Sequence, residues 1–192
     1  MQLRTSVESI VATVDRIISR FRTRDPQELC AALGIDIVEM DLRRKLKAFY
    51  FYQSRISTIV MDENVIELFR PILLAHELGH YCLHREIAMM RGFQELEVLE
   101  KRDTDPLELE ANLFAAELLI RDEQVTDLLN EYTFFETASI LNVPAALLDF
   151  KFAILQKCKG YKLSALGIAE SDFLKEDLGA YDSRNDLADS SC

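Results

Sequence analysis

The chain has 192 residues, 49% of them hydrophobic, and a formal net charge of -11 at pH 7. That length and apolar content suffice for one well-buried core, and the negative charge repels phosphate backbones, which argues against direct nucleic-acid binding. No apolar run is long enough to span a membrane, and Cys30, Cys82, Cys158 and Cys192 show no paired spacing, so reduced thiols in a cytoplasm are expected rather than a secreted disulfide scaffold.

Residues 5–22 predict a first helix. Its apolar positions between Val7 and Phe21 are interrupted by Glu8, Asp15 and Arg16, the pattern of an amphipathic helix and not of a secretory signal. A second helix begins at Asp25-Pro26 and stops near Gly34. Residues 35–40 then alternate as a strand does. The β-rich runs 48–52 and 56–61 flank Gln53-Ser54-Arg55 and predict a hairpin. The basic cluster of Arg43, Arg44, Lys45 and Lys47 reads first as a solvated turn, with contact to an acidic protein partner as the sharper alternative.

A third helix is expected to open at Pro71, which suits a first turn, and to carry the run His76-Glu77-Leu78-Gly79-His80. Residues four apart lie on one helical face, about 6 Å apart in rise, so His76 and His80 can converge on one metal ion. Glu77 is offset by one position and can reach an attacking water without entering the ligand shell. The flanking residues 72–75 and 81–83 are apolar, so the helix is expected to be buried, and a buried carboxylate asks for a compensating partner. The plain alternative makes both histidines core residues bonded to carbonyls. His84 lies about 12 Å of helical rise from His76, too far to share its ion, and is read as a helix C-terminal residue favoured by the dipole.

With the three histidines accounted for, a third ligand must come from a carboxylate or a cysteine. Cys82 lies on a different face from His80. The best segment opens at Asp105-Pro106, an N-cap followed by proline at the first helical position, and predicts a second buried helix through Leu119. Glu108 and Asn112 share a face of it, the pairing of a ligand carboxylate with an amide able to orient a histidine. Glu110 and Glu117 point away from Glu108 by more than a right angle. Between the two helices, residues 85–104 contain Gly92 and the solvated acids Glu95, Glu97 and Glu100; this stretch is either a cleft wall or lid pivoting at Gly92, or a connecting helix.

Beyond this, 122–132, 134–141 and 144–159 predict three helices, the last ended by Gly160. Residues 137–144 resemble a helix-turn-helix corner, but so few basic residues surround it that DNA reading is not expected. The acidic tail 164–192 is expected to be weakly ordered apart from one short helix at 170–178.

The residues His76, Glu77, His80, Glu108 and Asn112, with the run 114–119 after them, resemble the ImmA/IrrE-type metallopeptidases over roughly residues 25–155. One departure is Ile120-Arg121, standing where the family commonly ends this helix with proline. The resemblance implies an α+β, zincin-like fold with a small sheet packed on an active-site helix, followed by a helical C-terminal part. With the length and apolar content, one such domain is expected over 1–163, comprising helices and sheet at 1–65, metal-binding helices at 66–121 and a helical subregion at 122–163. His76, His80 and Glu108 would be the metal ligands, Glu77 the general base and Asn112 an orienting residue beside them. The metal would be Zn2+, with manganese or iron admitted by the same donors. A sheet edge beside the helix would hold substrate by strand addition. The implied substrate is a partner transcriptional repressor, cut so as to relieve repression. Two other readings stand beside this: a metal-containing module that inactivates a regulator by docking alone, and a DNA-binding regulator using the C-terminal helices. Tyr50, Tyr52 and Tyr81 are open candidates for stabilising an oxyanion.

Overall fold

A computed structural model describes residues 3–43, 46–91 and 105–161. Arg44 and Lys45 of the basic cluster, the expected pivot at Gly92 with the acids after it, and the tail 164–192 with its short helix lie outside them. Among the described residues the fold is α+β, with seven helices and one three-stranded sheet.

Helix α1, Val7–Phe21, starts where the Ser6 side chain accepts from the Ser9 amide, and it buries Val7, Ile10 and Val14 as one apolar stripe. Full burial of side chains such as Ile10 and Val14 contributes about 1.5–3 kcal/mol each. Helix α2, Pro26–Leu33, is capped by Asp25, whose carboxylate accepts from the Gln27 and Glu28 amides. It ends at Gly34, whose φ of 68° closes the helix and turns the chain directly into β1, Ile35–Met40.

Strands β2, Ala48–Gln53, and β3, Ile56–Asp62, form the expected hairpin. Its two loop residues, Ser54 and Arg55, both have positive φ, at 52° and 69°, as a twist-matched two-residue turn requires. Strand β3 lies in the centre, antiparallel to β2 and parallel to β1, in the order β1-β3-β2. The parallel pairing is possible because α2 and β1 precede the hairpin and the long β1 to β2 connection returns the chain. Strand β2 is therefore an edge strand, and it packs beside the next helix.

After a 3-10 turn at Glu67–Phe69, helix α3 runs Arg70–Arg91 and crosses under the sheet. Helix α4, Pro106–Leu119, is buried on every side: Ala111, Leu113, Phe114, Ala115, Ala116 and Leu118 are all core residues. It packs against α1, α3 and α7, which makes it the axis of the molecule. Helices α5, Asp122–Leu129, α6, Phe134–Ile140, and α7, Ala145–Lys159, follow, with α6 opened by a Thr133/Glu136 capping box. The helix-turn-helix-like corner is a 109° bend between α6 and α7. No single helix among the described residues is long and apolar enough to cross a membrane.

Candidate metal centre

Helix α3 lies under the sheet and against α4, so residues 72–78 are almost wholly withdrawn from water. Gly79 sets how closely the two helices approach. A Cβ built on it would stand 3.0 Å from Ala111 Cα and 3.2 Å from the Ala111 carbonyl oxygen, both immovable backbone atoms. The glycine inside the motif thus lets α4 lie flat on α3 and brings Glu108 to the histidines.

At this contact His76, His80 and Glu108 gather their ligand atoms within 4.8 Å of one another. His76 Nε2 and His80 Nε2 are 3.1 Å apart, His76 Nε2 is 3.3 Å from Glu108 Oε2, and His80 Nε2 is 3.4 Å from Glu108 Oε1. Ligand atoms about 2.0–2.1 Å from a tetrahedral centre stand roughly 3.3 Å apart. The donor set, with each histidine facing one of the two Glu108 oxygens, therefore lies close to the spacing that a small cation requires.

The proton positions agree with this. Asn112 Oδ1 lies 2.8 Å from His76 Nδ1, in a wholly buried contact between α4 and α3. An amide oxygen only accepts, so His76 Nδ1 carries the proton and Nε2 is left as a lone pair facing the cluster. Asn112 Nδ2 has no hydrogen-bond partner among the described residues. Glu77 is buried beside His76, at 2% exposure.

His84 corrects a sequence expectation. It is not at a helix end, because α3 continues to Arg91, about two turns further, past Arg85 and Glu86, which are exposed and do not stop it. His84 is buried, with Nδ1 3.1 Å from His80 Nδ1 and Nε2 3.0 Å from Glu110 Oε2. Burial, then the neighbouring His80, holds it below the ordinary imidazole pKa in spite of Glu110. Glu110 is 0% exposed. Burial raises its pKa, while hydrogen bonds from His84 and from the Thr5 and Arg4 amides bring it below the usual value on balance. The direction of Glu110 away from Glu108 did not show this role, because a helical wheel gives a side chain's heading and not which neighbour meets it. Histidines at 76, 80 and 84, each four apart, were the available signal: one face of α3 carries all three, with ring centroids 4.8 and 5.2 Å apart.

Cys82 remains outside the cluster. Burial pushes its thiol up to about 12, so it stays protonated. The three candidate tyrosines line the seam of β2 with α3. The Tyr50 hydroxyl lies 3.3 Å from Ser57 Oγ, its ring meets Tyr81 edge-on at 5.8 Å, and the Arg85 guanidinium sits 5.0 Å over Tyr52 and 5.4 Å over Tyr81.

An α+β fold that sets a His-Glu-x-x-His helix against a carboxylate-bearing one defines the zincin-like class of metallopeptidases. The family model for the IrrE N-terminal-like domain, a peptidase family, matches residues 30–151, and the chain belongs to that family. It is 34% identical over 143 residues to uncharacterized immunity region protein 2 of Bacillus phage phi105, across 74% of this chain and 88% of that protein. It is also 26% identical over 162 residues to metallopeptidase ImmA of Bacillus subtilis (strain 168), across 80% and 92% of the two chains. The resemblance drawn from the motif residues is thereby established at the level of the family, and with it a peptidase that uses a metal ion.

Proposed function

We propose that this chain is a zinc-dependent endopeptidase of the cytoplasm that cuts a partner transcriptional repressor and so relieves repression. The observation that carries the metal reading is the convergence of two imidazoles and a carboxylate: His76 Nε2 and His80 Nε2 stand 3.1 Å apart, and each meets a different oxygen of Glu108, at 3.3 and 3.4 Å. His76, His80 and Glu108 are assigned as ligands. Two histidines and a glutamate suit zinc, which when bound supplies Lewis acidity to the scissile carbonyl and to the attacking water.

The remaining work falls to the chain's own groups. Asn112 holds the His76 ring in the tautomer whose Nε2 faces the cluster. Glu77 takes the proton from the attacking water and passes it to the leaving amide nitrogen, and its buried position keeps bulk water from competing. The edge strand β2, beside α3, offers main-chain groups along which an extended peptide can lie. The immunity-region name of one relative, from a phage, favours a regulator as the substrate.

The test is Glu77→Gln. The variant should bind zinc as the wild type does and lose about 10²- to 10⁴-fold in cleavage of the partner repressor. Chelator should abolish wild-type cleavage. Undiminished cleavage by the variant would reject Glu77 as the base; a repressor inactivated but uncut by both proteins would favour docking without proteolysis.

A further inference from the structure

We propose that His84 and Glu110 are positioning residues for His80, forming a hydrogen-bond chain that fixes which nitrogen of the His80 ring carries the proton. The inference rests on the reading of His80 as a ligand through Nε2, and it extends the site by two residues in depth.

The chain of contacts is continuous, and it is buried at His84 and Glu110. His80 Nδ1 meets His84 Nδ1 at 3.1 Å, and His84 Nε2 meets Glu110 Oε2 at 3.0 Å. The other oxygen of Glu110 accepts the Thr5 amide at 2.8 Å and the Arg4 amide as well. Every group in this row has two faces, so the proton on one dictates the proton on the next. Main-chain amides only donate, so Glu110 Oε1 is fixed as an acceptor, and a carboxylate that receives two amide protons is favoured in its ionised form. Glu110 Oε2 is then an acceptor too. His84 must present Nε2-H to it, which leaves His84 Nδ1 as a lone pair. His80 must in turn present Nδ1-H to His84, and His80 Nε2 is left bare toward His76 and Glu108.

The polarity thus runs from the segment before α1, through α4, to the tip of a ligand on α3. His76 reaches the same tautomer in one step, through Asn112. His80 needs two, because no acceptor on α4 stands next to its own Nδ1. A carboxylate is required at the end of the row, since an amide there would reverse it. In Glu110→Gln the Thr5 and Arg4 amides would hold the carboxamide oxygen on their side and turn its NH2 toward His84 Nε2. The protons would then shift along the row: His84 would carry Nδ1-H, and His80 would carry Nε2-H, the wrong tautomer for a ligand.

With three histidines in the chain, imidazole 15N spectra of the metal-free full-length protein can resolve each ring. At about pH 8, above the ordinary imidazole range of about 6.5, wild-type His80 should show Nδ1-H with an unprotonated Nε2. Glu110→Gln should show the opposite pattern at His80 with His76 unchanged, and should bind zinc about 10- to 100-fold more weakly. A residue that only filled space would move neither spectrum. Wild-type His80 found as Nε2-H, or a Glu110→Gln spectrum identical to wild type, overturns the proposal. Should the variant fail to fold, the wild-type spectrum alone decides it. His80→Ala tests the underlying ligand assignment separately: zinc affinity undiminished in that variant would sink the metal reading, while the tautomer measurement would still judge the hydrogen-bond chain.

Discussion

Helix α4 carries buried acids toward both of its ends, and the two ends differ in what meets them. Near its start, Glu108 and Glu110 face three imidazoles; near its finish, Glu117 faces Lys151, which is itself buried and also touches Asp122 at 2.6 Å, with Lys159 alongside. An ammonium has three donors and no acceptor, so carboxylates around it complete a closed set. A neutral imidazole always keeps one lone pair. The histidine end therefore gathers acceptors toward a point, whereas at the lysine end ammonium groups and carboxylates meet one another. Buried charge by itself does not mark a site; ligand atoms gathered toward one another do.

The comparison can be broken most forcefully at the lysine end. Lys151→Ala leaves the buried Glu117 with only the more distant Lys159, at 3.6 Å, as countercharge and should destabilise the fold by about 3 kcal/mol. Zinc bound per folded molecule should remain at the wild-type level. A loss of zinc affinity in molecules shown by circular dichroism to be folded would mean that the two ends are not separate. At the histidine end, Gly79→Ala should cost about 1–3 kcal/mol through overpacking against Ala111 and should also weaken zinc binding, because Glu108 moves with α4. Unchanged affinity would show that α4 does not set the ligand spacing.

The smallest effect concerns acid. Burial raises the Asp122 pKa, but hydrogen bonds from Lys151 and Lys159 lower it further, to a net value below the ordinary 3.8. A carboxyl with a depressed folded-state pKa gives stability that is present above the unfolded value and is lost as pH falls through the folded one. Asp122→Asn should therefore lower Tm modestly at neutral pH and flatten the decline of Tm below about pH 4. An acid limb as steep as that of the wild type would remove Asp122 from the cluster's electrostatics.

What the sequence disclosed depended on how local the cause was. Asp25-Pro26 and Asp105-Pro106 announce helix starts because a cap is made within three residues, and both carboxylates do accept from the amides that follow. The hairpin of β2 and β3 was legible for the same reason, being joined by a two-residue turn. The parallel pairing of β1 with β3 was not, since nothing near either strand states its neighbour. The gathering of His76, His80 and Glu108 was readable because motif spacing and helix periodicity are both short-range, and Asn112 came with Glu108 as its neighbour one turn on. The partners of His84, Glu110, Glu117 and Lys151 lie 26, 105 and 34 residues apart along the chain and emerge only from packing. The placing of His84 at a helix end, by the dipole preference, failed for the same reason: what holds it is Glu110 on another helix, while α3 itself continues to Arg91.

Glu110 and Glu117 stand seven residues apart, so they repeat on one side of α4 after two turns, about 10.5 Å along its axis. Each has a base from a different element waiting for it. Were α4 to slide by one residue, both carboxylates would swing by about 100° into apolar packing, and each would cost several kcal/mol. An apolar rod buried on all sides could otherwise settle in several near-equivalent positions. The two acids act as teeth that allow the rod a single seating, and that seating is the one that delivers Glu108 to the histidines.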